Sequence, residues 1–151
     1  IVAARTGNEM RALALIRQEQ RQDARRQGKG EACIPCDRYS MDTEWTQKAK
    51  KYLQSGYSVI IFPEGKIRTD GELNEFKSGF AFLARYTGVP VIPIGISGIY
   101  KFGRKTKTEI GNAEKITRTP GIPSSQDLAQ KSEYFREIVI NLKKKTLEEC
   151  K

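Results

Sequence analysis

The chain has no histidine and only three cysteines among its 151 residues. The first absence removes the side chain that most often moves a proton near neutral pH. The second leaves too few thiols for a disulfide framework. Cys33-Ile34-Pro35-Cys36 has the spacing of a thiol redox pair or half a zinc site, and Cys150 is the only further thiol. A zinc site needs four ligands, so no metal is expected. A redox pair wants a helix N-terminus that lowers a thiol pKa, whereas Asp37-Arg38-Tyr39-Ser40 starts as a turn. No apolar run approaches the roughly eighteen residues of a bilayer-spanning helix. No signal-peptide pattern opens the chain, and its few cysteines, fitting neither a disulfide framework nor a metal site, lead to the expectation of a reduced, cytosolic chain. An initiator methionine is missing too: the chain opens at Ile1, as a fragment or trimmed chain would.

Positive charge is in excess. Lys and Arg number 27 against 18 Asp and Glu, a net of +9. Such a chain is drawn to anionic lipid, nucleic acid or phosphorylated metabolites. A solvated basic surface without any such partner accounts for the charge equally well. The length suits one domain with a real core.

Periodicity organises the rest. Residues 1–31 read as a helix on Met10, Leu13, Leu15 and Ile16, fading into a divergent polar and basic segment before Gly28 and Gly30. A short strand is expected through Cys33 to Cys36. Asp42 or Thr43 caps a helix over 44–54, with Trp45, Ala49, Tyr52 and Leu53 on one face and Gly56 as its stop. Strand 57–62 follows. A helix over Phe76 to Tyr86 ends at Gly88, and strand 89–97 comes next. Residues 99–123 are basic and turn-rich, suited to loops with one or two short strands. Ser124 or Ser125 caps a last helix to about residue 148, with Leu128, Phe135, Ile138, Val139 and Leu142 at helical spacing. Alternating strands and helices argue for an α/β domain. Val59, Ile61, Phe80, Leu83, Val91 and Ile94 are the expected core.

The stretch richest in chemistry is Ile61-Phe62-Pro63-Glu64-Gly65-Lys66-Ile67-Arg68. It sets an acid and a glycine at a strand-to-helix turn. Glycine admits close backbone approach, and Lys66 and Arg68 suit a phosphate. An isolated glutamate in a turn is ordinarily a surface carboxylate; here Pro63 and Gly65 fix the backbone around it. Pro90 and Pro93 lie together in Val89-Pro90-Val91-Ile92-Pro93-Ile94. Proline cannot donate to a sheet ladder, so this strand lies at an edge or carries a bulge. Two other readings fail. Gly65-Lys66 lacks the earlier glycine of a nucleotide-binding P-loop, since that position is Ile60. The basic stretches at 21–29 and 101–107 accompany no recognisable nucleic-acid reading module.

These blocks, in this order and spacing, resemble the glycerolipid acyltransferase family. There the acid-glycine block reads Phe-Pro-Glu-Gly-Thr-Arg-Ser and the later one Val-Pro-Val-Ile-Pro-Val. Ile34-Pro35-Cys36-Asp37-Arg38 is similar to the family's Ile-Pro-Ile-Asp-Arg, and Pro63 follows Arg38 by 25 residues. The resemblance runs from Ile34 to Gly98. It implies a layered mixed sheet flanked by helices, truncated at its N-terminus. It also implies acyl transfer from acyl-CoA or acyl-carrier protein to a lysophospholipid such as 1-acylglycerol-3-phosphate. Arg38, Glu64, Gly65 and Lys66 or Arg68 would hold the acceptor, with Asp37 a structural partner. Pro63, Pro90 and Pro93 would be structural or lie on the donor side. The acyl thioester is a co-substrate, and neither a cofactor nor a metal is implied. The implied place is the cytoplasmic face of an anionic membrane, peripherally bound.

Two departures stand out. Lys66, Ile67 and Arg68 replace the family's Thr, Arg and Ser, so the cationic role shifts to Lys66 or Arg68. The family's general base is the histidine of His-x-x-x-x-Asp, which the resemblance places just upstream of Ile1. A histidine-less relative that binds anionic lipid or a partner is the competing expectation, and a basic nucleic-acid binder a third.

Overall fold

The computed structural model describes residues 2–3, 13–17, 33–35, 44–64, 72–97, 106–117, 121 and 124–148, with the backbone alone for 2–3, 13–17, 33 and 35. The expectations for Arg38, Gly65, Lys66, Arg68 and the 18–30 segment lie outside these residues. In chain order the elements are β1 (Val2–Ala3), β2 (Leu13–Arg17), β3 (Cys33–Pro35), α1 (Glu44–Gln54), β4 (Ser58–Ile61), α2 (Gly79–Thr87), β5 (Val91–Ile92), β6 (Ile94–Ile96), β7 (Thr108–Ile110) and α3 (Ser125–Glu148). The domain is α/β.

Strand β4 is the centre of a five-stranded mixed sheet of order β3-β2-β4-β1-β5. It pairs in parallel with β2 and antiparallel with β1. Val59 and Ile61 are buried, as a β-branched run with neighbours on both sides should be. Strand β3 runs parallel to β2, and β5 antiparallel to β1. So β3, β2, β4 and β5 all point the same way. Register aligns their ends. Ile34 and Ile61 both lie opposite Ile16, while Ile92 and Ile60 both lie opposite Val2.

Leu13–Arg17 is a strand, not part of the helix expected for 1–31. The run Leu13-Ala14-Leu15-Ile16 is short and wholly apolar, a pattern that periodicity alone cannot assign. Between β3 and β4 its backbone groups find partners on both sides, which decides for the strand.

Helix α1 buries Ala49 and Leu53, and Trp45 and Tyr52 pack partly against the core. The chain then turns at Gly56, where φ is 87°, a conformation that glycine takes without steric cost. Helix α2 starts at Gly79 rather than Phe76. The reason lies in the segment before it: the Lys77 N–H donates to the Pro63 carbonyl at 2.9 Å and the Asn74 N–H to Glu64. Phe76 still meets Phe80 edge-on at 6.3 Å. Gly88 closes α2 with φ at 71° and its N–H on the Ala84 carbonyl.

The expected strand 89–97 is two strands. Pro93, fully buried and without an N–H, ends β5 at the edge of the large sheet. Beyond it β6 pairs with β7 in a second, two-stranded sheet. Gly95 faces α3: a Cβ there would lie 2.7 Å from the Lys143 backbone nitrogen and 2.7 Å from the Leu142 Cβ. Strand alternation turns Ile94 and Ile96 to the other face. That is why Ile94, expected in the core, is only half-buried, and Ile96 is exposed.

Helix α3 matches its expected bounds, and its Ser124 cap accepts the Asp127 N–H at 3.0 Å. Phe135, Val139 and Leu142 form its buried stripe, and Phe135 packs edge-on against Phe80 at 5.8 Å. Because the atom facing Gly95 is backbone, no side chain can swing aside. Gly95→Ala should cost about 1–3 kcal/mol in urea unfolding; an unchanged midpoint would show that α3 is not seated on β6 at this point.

Candidate functional site

The carboxyl end of β4 leads directly into Phe62, Pro63 and Glu64. Pro63 is buried, Glu64 half-buried, and Phe62 is 60% exposed. Ends of parallel strands are where α/β sheets collect ligands, because the chain leaves the sheet there and backbone groups become available.

Glu64 is held by the far end of its own β4–α2 connection. Its Oε2 accepts the Asn74 backbone N–H at 3.2 Å. One step further out, Arg136 of α3 donates from Nε to the Asn74 carbonyl at 3.0 Å and from Nη2 to the Leu73 carbonyl at 3.2 Å. Its Nη1 pairs with Glu133 at 2.9 Å, one helical turn away. The guanidinium side chain is three-quarters covered, at 25% exposure. Partial burial strengthens such charged hydrogen bonds relative to fully exposed ones.

Among the anticipated site residues, Pro63 and Glu64 meet at this turn. Pro93 follows Ile92, which the register sets level with Ile60. Its backbone is therefore level with Ile61, three residues before Glu64, and about 10 Å from that residue at two strand spacings. Pro90 lies at the opposite end of β5. It lines a separate cavity of about 400 Å³ with Leu53, Gln54, Val89 and Lys115. The two prolines therefore occupy different ends of the sheet. Arg38 follows the end of β3, the strand whose Ile34 is level with Ile61. Among the described residues no three acidic or thiol side chains gather as a metal site.

Arg136, Asn74 and Leu73 were not anticipated. Arg136 is 62 positions from Asn74, so no local pattern links them. One hint was present: Arg136 adjoins Phe135 on the flank of the apolar stripe. Elsewhere on α3, the Tyr134 hydroxyl donates to the Glu114 carboxylate at 2.9 Å. That bond, and the carboxylate's charge, raise the phenol above its ordinary pKa.

Comparison with known proteins bears on this turn. The acyltransferase family profile matches residues 24–97, which contain β3, α1, β4, α2, β5 and β6. A chloroplastic 1-acyl-sn-glycerol-3-phosphate acyltransferase of Brassica napus is 35% identical over 85 residues, covering 54% of this chain and 25% of the relative. A chloroplastic 1-acyl-sn-glycerol-3-phosphate acyltransferase of Arabidopsis thaliana is 35% identical over 85 residues, covering 54% of this chain and 24% of its own. One from Cocos nucifera is 34% identical over 62 residues, with 41% and 20% covered. The chain thus spans about a quarter of the length of the first two relatives. No solved structure matches it. Over residues 24–97, just under half of its length, this chain is similar to the acyltransferase family, and the curated proteins it resembles are named as 1-acyl-sn-glycerol-3-phosphate acyltransferases.

Proposed function

We propose that the protein bearing this chain transfers a fatty acyl group from acyl-CoA or acyl-carrier protein to 1-acylglycerol-3-phosphate, giving phosphatidic acid. One observation carries the reading. Glu64 is fixed at the carboxyl end of β4, on the sheet edge where β3 also ends. The Ile34 and Ile61 backbones are level and two strand spacings apart, about 10 Å. Arg38 leaves the first of these strands and Lys66 and Arg68 follow the second. Cations from both loops would then address one phosphate, with Gly65 admitting close backbone approach. The similarity to proteins named as 1-acyl-sn-glycerol-3-phosphate acyltransferases supports this acceptor.

The chemistry is simple to balance. The acceptor hydroxyl oxygen attacks the thioester carbonyl carbon, the C–S bond breaks, and the thiol leaves with a proton. Both substrates meet in a ternary complex, without a covalent acyl-enzyme. Glu64 binds rather than reacts. A carboxylate offers about four lone-pair sites, so the Asn74 bond leaves capacity for a glycerol hydroxyl. The base that takes the hydroxyl proton comes from outside these 151 residues, since they contain no histidine. The reaction needs no cofactor beyond the thioester. The layered glycerolipid-acyltransferase architecture and peripheral binding at the cytoplasmic face of an anionic membrane belong to the same reading. The net charge of +9 favours such a surface, and among the described residues no helix is long and apolar enough to cross one.

A second reading, a relative that binds anionic lipid without catalysis, is favoured by the missing histidine. The gene upstream of Ile1 separates the two: a His-x-x-x-x-Asp block belongs to the enzyme.

Two measurements test the proposal. The 151 residues alone, given acyl-CoA and 1-acylglycerol-3-phosphate, should form no phosphatidate, because a positioned base is worth about 10²–10⁴ in rate. Turnover at a rate typical of acyltransferases would refute the assignment of the base. Arg38→Ala with Lys66→Ala should weaken binding of 1-acylglycerol-3-phosphate at least about tenfold. Lys143→Ala with Lys144→Ala, an equal loss of charge, should do less. Binding should fall with added salt. Equal effects of the two pairs would mean that the turn is only part of a basic surface.

A further inference from the structure

We propose that Arg136 is a positioning residue for the acceptor site, acting on Glu64 through the single peptide that joins Leu73 to Asn74. The inference rests on the reading that Glu64 meets the acceptor. In a trans peptide the carbonyl and the following N–H point to opposite sides of one rigid plane. Arg136 Nη2 takes the Leu73 carbonyl at 3.2 Å, and the Asn74 N–H of that same peptide reaches Glu64 Oε2 at 3.2 Å. Anchoring one side of the plane therefore aims the other at the carboxylate. Nε holds the next carbonyl, that of Asn74, at 3.0 Å. With both carbonyls taken, the plane cannot rotate without breaking a charged hydrogen bond.

The anchor itself is stiff. Arg136 follows Phe135, which is 1% exposed and packed against Phe80. Glu133 fixes the remaining arm of the guanidinium. On the other side, the Lys77 N–H closes the loop onto the Pro63 carbonyl. Glu64 is thus tied to α3 as well as to its own strand. The cation also polarises the peptide it binds, making the Asn74 N–H a better donor to Glu64. A planar fork fixes two adjacent carbonyls in one geometry, whereas a lysine's donors radiate from a single point and hold them only loosely.

The test uses the whole protein and sn-glycerol 3-phosphate as probe, with Glu64→Ala, Arg136→Met, Arg136→Lys and the double variant Glu64→Ala/Arg136→Met. Arg136→Met should weaken binding about tenfold, as Glu64→Ala does, with Arg136→Lys between wild type and Arg136→Met. The double variant should bind no more weakly than Glu64→Ala alone, because Arg136 acts through Glu64. Losses that multiply in the double variant, or wild-type binding by Arg136→Met, would overturn the proposal. Amide hydrogen exchange supplies a reading that needs no ligand. Arg136→Met should speed exchange at Asn74 while Val59 and Ile61 stay protected. Unchanged exchange at Asn74, or loss of protection throughout the core, would refute local positioning. If Glu64→Ala binds the probe like wild type, the acceptor reading fails instead, and the exchange result alone decides the role of Arg136.

Discussion

The pairing of β4 on both edges is the constraint from which the site follows. A strand hydrogen-bonded to β2 on one side and β1 on the other cannot shift register without exposing Val59 and Ile61. Its carboxyl end is therefore a fixed point. Pro63 and Glu64 leave the sheet from that point, and the segment to α2 is hung from them by the Lys77 and Asn74 amides. The shared direction of β3, β4 and β5 brings three strand ends to one edge. A binding site for a compact, charged headgroup needs that convergence more than it needs a deep cavity.

Glycine and proline shape the frame around this edge. Pro93 ends the ladder of β5 and hands the chain to a second sheet. Gly95 then lets α3 approach within a distance that no side chain permits. The helix so seated carries Arg136 to the Leu73 and Asn74 carbonyls, next to the amide that meets Glu64. Close packing at β6 and electrostatics at Glu64 are thus linked through one helix, although their residues lie far apart in sequence.

Much of this was legible beforehand, for reasons that differ by element. Helix α1 and helix α3 showed their apolar stripes and their stop or cap signals, Gly56 and Ser124, so their bounds could be read closely. The β-branched run at 58–61 could be read as a buried strand. Strand β2 could not, because Leu13–Arg17 is too short and too uniformly apolar for its period to show. The start of α2 does not show in the sequence because the Asn74 and Lys77 amides tie the preceding segment to Glu64 and Pro63, and those contacts are tertiary. The strand expected over 89–97 broke at Pro93, whose missing donor was noticed but whose change of sheet was not. Glu64 and its motif stood out by residue type; Arg136 did not, since an arginine on a helix flank looks like any solvated charge.

The central claim is that a phosphate-bearing acceptor sits at the carboxyl edge of β3 and β4. Amide chemical shifts during titration with sn-glycerol 3-phosphate test it most directly. The account predicts that the largest changes fall at Glu64 and Asn74, with Gly88 and Val89 at the opposite edge unmoved. Largest changes at Gly88 and Val89, or along Lys143 to Lys145, would contradict it.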